Sequence, residues 1–150
     1  MMTPADAPPL AILTHAGLAL AASRAVAQAA EAAAIARGCR VCIAILDGGG
    51  HLQHFLRMDG THIASIEVAI GKARCALTFR RPTKVFADSV AAEGVALIAL
   101  PGMVPFAGGV PLVYHDAVIG AIGISGGSPQ LDDEIGAAGA AILLREGDSR

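Results

Sequence analysis

The segment that most constrains the fold is residues 103–130, MVPFAGGVPLVYHDAVIGAIGISGGSPQ, which holds six of the chain's 18 glycines. A glycine-rich segment can cradle a phosphate, or it can form strands that another backbone approaches closely. The phosphate reading fails on spacing, because the segment contains neither G-x-x-x-x-G-K-[ST] nor G-x-G-x-x-G. We therefore predict two strands, rich in β-branched residues, that meet in a tight reversal at His115 and Asp116.

Glycines within and before these strands indicate places where a ligand or another part of the chain comes close to the backbone. Gly120 and Gly123 are separated by an odd number of positions, so they open opposite faces of the second strand to a ligand or to a packed helix. Gly108 and Gly109 precede the first strand, where their backbone N–H groups would suit an anionic or carbonyl ligand. For the strand glycines, room for helix packing explains the pattern equally well.

The composition predicts one globular domain over residues 1–150. Of the 150 residues 54% are apolar and 16% are charged, which excludes disorder. A net charge of −2 and an aromatic content of 3%, with no Trp, exclude a nucleic-acid partner. Glycine and proline interrupt the uncharged stretches before they could span a bilayer, so no membrane partner is expected.

The N-terminal segment and the cysteines predict a cytoplasmic protein. The first residues lack the positive region of a secretory signal and carry Asp6 instead. The three cysteines are an odd number, which favours a reducing compartment. Cys39 and Cys42 form C-x-x-C, but the motif leads into a predicted strand, so we interpret the pair as structural and predict no metal site.

The rest of the sequence predicts an α+β protein. Apolar residues from residue 63 onward recur at the i, i+3 and i+7 spacing of one helical face, and short apolar runs bounded by glycine indicate strands. Helices are predicted over residues 14–37, 61–79, 83–91 and 129–144, and strands over residues 40–47, 51–58 and 95–100 and on both sides of the reversal. The hairpin-like connections predict a five-stranded, mostly antiparallel sheet.

Two histidines lie on the second predicted strand. Alternation along the strand would place His51 with Gln53, Phe55 and Arg57 on one face and His54 on the other. A lone histidine on an apolar face is more often a core residue than a ligand, but haem or metal ligation by His54 remains an alternative.

A stripe on the main predicted helix has the composition of a ligand pocket. His62, Ser65, Ala69 and Lys72 follow the i, i+3, i+7 and i+10 spacing. The stripe brings an imidazole, a hydroxyl and an amine beside small residues. A helix edge at a subunit interface explains the same pattern equally well.

Charged residues before and along this helix add to the predicted site. Arg57 can hold a carboxylate through two hydrogen bonds, and Asp59 can either cap the helix or orient Arg57. Glu67 and Arg74 lie on the far side of the helix, where a solvated ion pair is a sufficient explanation.

Six motifs in order resemble the GlcG/HbpS family, also described as the haem-degrading or PduO C-terminal-like family. They are AILDGGGHL, RMDGTHIASIEVAIGKA, FRRPT, AGGVPLV, VIGAIGISGG and LDDEIGAAGA, and they cover about residues 40–141. The resemblance implies a profilin-like fold with a five-stranded antiparallel sheet, assembled into dimers or larger homo-oligomers. It also implies a link to haem or corrinoid handling, or a role in a catabolic pathway, with His15 as a further candidate ligand.

One functional hypothesis is a homo-oligomeric small-molecule-binding protein. It would bind haem or a related tetrapyrrole in an apolar pocket, with His51, His54 or His62 as ligands of the iron. Asp59 and Ser65 would contribute further ligand contacts.

The alternative hypothesis is a cofactor-free enzyme with lyase, isomerase or tautomerase chemistry on a small oxygenated carboxylic acid. Arg57 would hold the carboxylate, and His62 or Lys72 would move the proton. The N–H groups of Gly108 and Gly109 would stabilise an enolate.

Overall fold

A computed structural model describes residues 12–147 of the chain. Its elements, in chain order, are α1 Leu20–Ala36, β1 Cys42–Asp47, β2 Leu52–Arg57, α2 Ala64–Phe79, α3 Thr83–Glu93, a 3₁₀ helix Val95–Ala99, β3 Gly109–Tyr114, β4 Ala117–Ser125 and α4 Pro129–Gly147. Within these residues, no helix has both the length and the apolar character needed to cross a bilayer. The predicted α+β class is confirmed.

One antiparallel sheet, with strand order β2-β1-β4-β3, organises the molecule. The central strand β1 is buried on both faces, as its continuous apolar sequence predicts. Ile43 and Ile45 belong to one core, whereas Cys42, Ala44 and Leu46 belong to the other. The alternation of side chains along β1 therefore creates two cores, one on each face of the sheet.

Helices cover both faces. α1 and α4 pack together on the face that bears Ile43 and Ile45, and α2 covers the opposite face. α1 and α2 each approach the sheet through alanines, including the buried Ala30 of α1 and Ala73 of α2, because small side chains allow close contact. The observed layers are compatible with a profilin-like fold, which stays a prediction.

The two strand glycines lie where neighbouring backbone is closest. A Cβ atom at Gly123 would collide with the Ala69 carbonyl of α2, and one at Gly120 would collide with the Leu46 carbonyl of β1 and crowd Leu18 on the other face. The prediction that these glycines open opposite faces is confirmed. The space is taken by packed helices and backbone, so glycine is required here for packing.

The prediction of five strands is wrong. The sheet has four strands among the residues that the structure describes, because residues 95–99, predicted as part of a strand, form a 3₁₀ helix. Val95 is 73% exposed and Ile98 is 51% exposed, so this segment does not enter the sheet. A short apolar run bounded by glycine and proline does not by itself distinguish a strand from a helical turn.

The first helix also begins later than predicted. α1 starts at Leu20, after an extended Ala19 that provides no side-chain cap, whereas residue 14 was the predicted start. The preceding segment is held by a tertiary contact instead, because Gln53 Nε2 donates to the Leu18 carbonyl at 2.8 Å. Gly17 adds to this preference, since glycine is a weak helix former.

A β-bulge changes the predicted faces of β2. The register between β1 and β2 shifts between Ile45 and Leu46, so the alternation of side chains breaks near Gln53. Gln53 consequently reaches α1, where it also bonds Ser23, whereas Phe55 packs against the α2 core. The predicted grouping of Gln53 with Phe55 on one face is therefore wrong.

Candidate functional site

An apolar groove opens between the start of α1, the end of α4 and the β3–β4 hairpin. Its volume is about 370 Å³, within the range of roughly 300–1,000 Å³ typical of small-molecule pockets. We call it the α1–α4 groove, and its lining residues are Gly17, Leu18, Ala19, Ala22, Ala25, Tyr114, Ile119, Ile142 and Leu143. The lining is almost entirely aliphatic, with the Tyr114 phenol as its one polar side-chain group.

Small residues and one hydrogen-bond network shape this groove. Gly17, Ala19 and Ala22 leave space at the start of α1 that longer side chains would fill. The bond from Gln53 to the Leu18 carbonyl fixes the wall, and the bond between Gln53 and Ser23 fixes the first turn of α1. The sequence did not indicate this groove, because it forms only where the ends of two helices and a hairpin meet.

Two histidines, His15 and His115, are close in sequence to residues that line the groove. His115 follows Tyr114, and their rings stack edge to face with centroids 4.2 Å apart. His115 and Asp116 both have positive φ angles, 45° and 63°, as expected for the two-residue reversal predicted from the sequence. His15 is exposed and precedes the lining residue Gly17 by two positions. Imidazole is a common metal ligand, and neither histidine is itself among the residues that line the groove.

The predicted stripe on α2 faces the protein interior. Ser65, Ala69 and Lys72 are buried, while His62 lies before α2 and is exposed. The ammonium group of Lys72 bonds Asp132 Oδ2 and the Ile124 carbonyl, both at 2.9 Å. Lys72 therefore joins α2 to the start of α4, and the stripe does not line the α1–α4 groove.

Of the two predicted glycine donors, Gly109 is engaged by a hydrogen bond within the fold. The Gly109 N–H donates to Thr83 Oγ1 at 2.9 Å, and the Thr83 hydroxyl donates to the Phe106 carbonyl. Gly108 has a positive φ of 124°, and a Cβ there would approach Asp132 and Lys72 Nζ to about 3 Å. Both glycines are buried and serve close packing in the structure.

Arg57 and Asp59 are exposed near the far end of β2. Arg57 pairs with Cys42 across the β1–β2 ladder, and its positive charge opposes the burial that raises the pKa of the Cys42 thiol. The predicted roles of Arg57, Asp59 and His62 toward a carboxylic acid stay predictions.

The two histidines of the β1–β2 hairpin differ in surroundings. His51 is exposed and lies 3.4 Å from Asp47, whose pKa is lowered mainly by the hydrogen bond from the His51 N–H. His54 is partly buried and pairs with Ile45, which belongs to the core on the α1 side. No group of three or more His, Cys, Asp or Glu in the described residues could hold a metal ion.

The fold defines a class of protein: a small α+β domain in which one antiparallel sheet carries helices on both faces and an apolar groove at one end. Within that class, the chain belongs to the HbpS-like family, described as haem degrading protein HbpS-like, whose model matches residues 18–141. The resemblance inferred from the six motifs is confirmed.

Individual relatives agree with this assignment. The chain is 38% identical to the protein GlcG of Escherichia coli K12 over 85 residues, which are 57% of this chain and 63% of GlcG. It is 34% identical to an HbpS double mutant from Streptomyces reticuli, with a TM-score of 0.80 over 93% of this chain and 99% of that one. A PduOC:heme complex is 27% identical, with a TM-score of 0.76 over 84% of this chain and 94% of that one.

Proposed function

We propose that this protein binds haem or a related tetrapyrrole in the α1–α4 groove and acts as a homo-oligomer. The observation that carries the proposal is the groove itself, which is aliphatic and about 370 Å³ in volume. Two histidines are close in sequence to its lining residues. Membership of a family described as haem-degrading and similarity to a protein solved with haem support the choice of ligand.

The lining fits a flat apolar ring. Aliphatic side chains such as Leu18, Ile119 and Leu143 offer the surface that a macrocycle buries, and Tyr114 offers an aromatic contact. His15 or His115, each close in sequence to a lining residue, would supply the imidazole nitrogen that holds the haem iron. When bound, the iron supplies ligand exchange and redox chemistry, whereas the chain binds and orients the ring.

Exposed apolar residues support the homo-oligomer. Val95, Ile98 and Phe106 are each more than half exposed within one short stretch of the chain. Large apolar side chains clustered at a surface mark an interaction site more often than an isolated one does. A second copy of the chain is the partner that the symmetry of soluble oligomers favours.

Titration with haemin tests the proposal directly. We expect the purified protein to shift the Soret band of haemin at micromolar concentration. The shift should be lost in His15→Ala or in His115→Ala, depending on which histidine binds the iron. The matched control is His62→Ala, because His62 is equally exposed but lies before α2, away from the groove. Sedimentation of the same samples measures the oligomeric state.

The chain has five histidines, so single alanine variants of all of them identify the ligand. Loss of the Soret shift only in His51→Ala or His54→Ala would place the iron at the β1–β2 hairpin and contradict the groove. Absence of any shift in the unmodified protein would reject tetrapyrrole binding.

A further inference from the structure

A second cavity lies at the same end of the sheet, on the opposite face. Its volume is about 410 Å³, and it is formed by the triglycine turn between β1 and β2, the last turns of α2 and Val118 at the start of β4. Val118 precedes Ile119, which lines the α1–α4 groove, so the sheet separates the two cavities. We call the second one the turn cavity.

Two arginines give the turn cavity its charge. Arg74 and Arg80 both line it, and none of its lining residues among positions 12–147 is acidic. Neither guanidinium makes a hydrogen bond or ion pair with any other residue in the part of the chain that the structure describes. The whole chain has a net charge of −2, so the presence of two cations in one cavity does not reflect a generally basic protein.

Asp47, the carboxylate that adjoins the triglycine turn in sequence, is not among the residues that line the cavity. Asp47 Oδ1 accepts hydrogen bonds from the N–H groups of Gly49 at 2.9 Å and His51 at 3.0 Å. The carboxylate is therefore engaged with the backbone of the triglycine turn, and within the described residues it forms no ion pair with Arg74 or Arg80. Glycines at positions 48–50 also leave the mouth of the cavity free of side chains.

Arg80 has a backbone conformation that is uncommon for an arginine. Arg80 ends α2 with a φ of 55°, in the left-handed region that glycine usually occupies at this position. Among the described residues, seven glycines have positive φ, and only three other residues do, namely Arg80, His115 and Asp116. An arginine at the end of a helix also compensates the helix dipole, so a test must separate that structural role from ligand binding.

We propose that the turn cavity binds a small anion, a metabolite that carries a phosphate or carboxylate group, through the guanidinium groups of Arg74 and Arg80. The planar fork of each guanidinium can donate two parallel hydrogen bonds to such a group. Thr78, which also lines the cavity, adds a hydroxyl donor. The site lies on the other face of the sheet from the α1–α4 groove and is independent of the proposed haem site.

Titration followed by amide NMR tests the proposal, with inorganic phosphate and malonate as separate probes. We expect saturable shifts confined to residues 48–50 and the end of α2 for at least one probe. The probe that binds more tightly identifies the group, phosphate or carboxylate, that the ligand carries. Absence of saturable shifts with both probes would overturn the proposal.

Two variants separate binding from structure. Arg80→Gly relaxes the left-handed backbone, so a purely structural arginine predicts an unchanged or improved site, whereas we expect affinity for the probe to fall about tenfold or more. Arg74→Gln should weaken binding by a similar factor while retaining the fold. Unchanged affinity in both variants would overturn the proposal.

The matched control is Arg81→Gln, which removes the same charge from the adjacent residue. Arg81 is exposed and lines a different cavity, beside α3. We expect its affinity for the probe to match that of the unmodified protein. A loss in Arg81→Gln as large as in Arg80→Gly would show a general charge effect and would also overturn the proposal.

Discussion

The ammonium group of Lys72 forms a buried ion pair with the carboxylate of Asp132. Its side chain is 4% exposed and that of its partner Asp132 is 3% exposed. Asp132 also accepts a hydrogen bond from the Gly127 N–H at 2.8 Å, and Ile124 supplies a carbonyl to the ammonium. A buried pair of this kind requires every partner, because an unpaired charge in the interior is strongly unfavourable.

Removing the lysine should therefore destabilise the fold. For Lys72→Met we expect the free energy of unfolding to fall by about 3–5 kcal/mol, since Asp132 would keep a buried charge without its cation. Urea unfolding measures the change. The matched control is Lys84→Met, because Lys84 is the other lysine of the chain and is exposed. A loss below about 1 kcal/mol in Lys72→Met would contradict a structural role for this pair.

The helical spacing of α2 correctly predicted that Ser65, Ala69 and Lys72 share one face of the helix. Whether that face contacts a ligand or another part of the chain depends on which element packs against it. Asp132, the partner of Lys72, could not be identified from the sequence because it lies 60 residues further along the chain. The same holds for Gly109, whose N–H is bonded by Thr83, 26 residues earlier in the chain. Spacing identifies a face, whereas only the assembled fold identifies its neighbour.

At the scale of elements, the contact between α2 and β4 depends on glycine. Gly123 lies in β4 opposite the backbone of α2, where a Cβ would overlap the Ala69 carbonyl and come within 2.9 Å of the Ala73 side chain. The helix and the strand therefore approach more closely than any residue with a side chain would allow. Neighbouring Gly71 in α2 is different, because a Cβ there would meet only Val104 at 3.7 Å.

These two glycines give a matched pair of substitutions. Gly123→Ala should lower the free energy of unfolding by about 1–3 kcal/mol or more, because helix and strand must separate to admit the methyl group. Gly71→Ala should leave stability unchanged or raise it by about 0.5–1 kcal/mol, since alanine favours the helix. Thermal unfolding monitored by circular dichroism compares them. Equal stabilities of the two variants would contradict the close packing of α2 on β4.

Hairpins and helices were predictable where local chemistry decides them. The reversal at His115 and Asp116 and the start of α4 at Pro129 appear where the sequence places them, because turn residues and capping residues act over a few positions. The bulge near Gln53 and the 3₁₀ helix Val95–Ala99 were not predictable, because each depends on which element packs beside it.

At the scale of the whole molecule, two thiols lie inside the cores. Cys42 is in β1, and Cys75 is on the buried face of α2, where its sulfur accepts a hydrogen bond from the Val104 N–H. Burial raises the pKa of both thiols, and the charge of Arg57 opposes the shift at Cys42. Cys39 is only partly buried, and all three thiols are free.

We expect one thiol, Cys39, to react with Ellman's reagent in the native protein, and Cys42 and Cys75 to react only as the protein unfolds. The control is Cys39→Ser, which should remove the rapid phase of the reaction. Rapid reaction of two or more thiols in the native protein would contradict the buried positions.

The raised pKa values of Cys42 and Cys75 also predict a pH dependence of stability. As pH rises, these two thiols lose their protons in the unfolded chain before they do so in the folded protein. The free energy of unfolding should consequently fall as pH rises through the alkaline range in which thiols titrate.

The sequence by itself determined the family, the α+β class, the two-faced central strand and the positions of most helices. These follow from periodicity, from turn and cap residues and from motif order, all of which act locally along the chain. Only the tertiary structure decided the four-stranded sheet, the ion pair between Lys72 and Asp132, the α1–α4 groove and the presence of Arg74 and Arg80 in one cavity. Cavities and buried ion pairs join residues far apart in sequence, so they exist only once the helices have packed on the sheet.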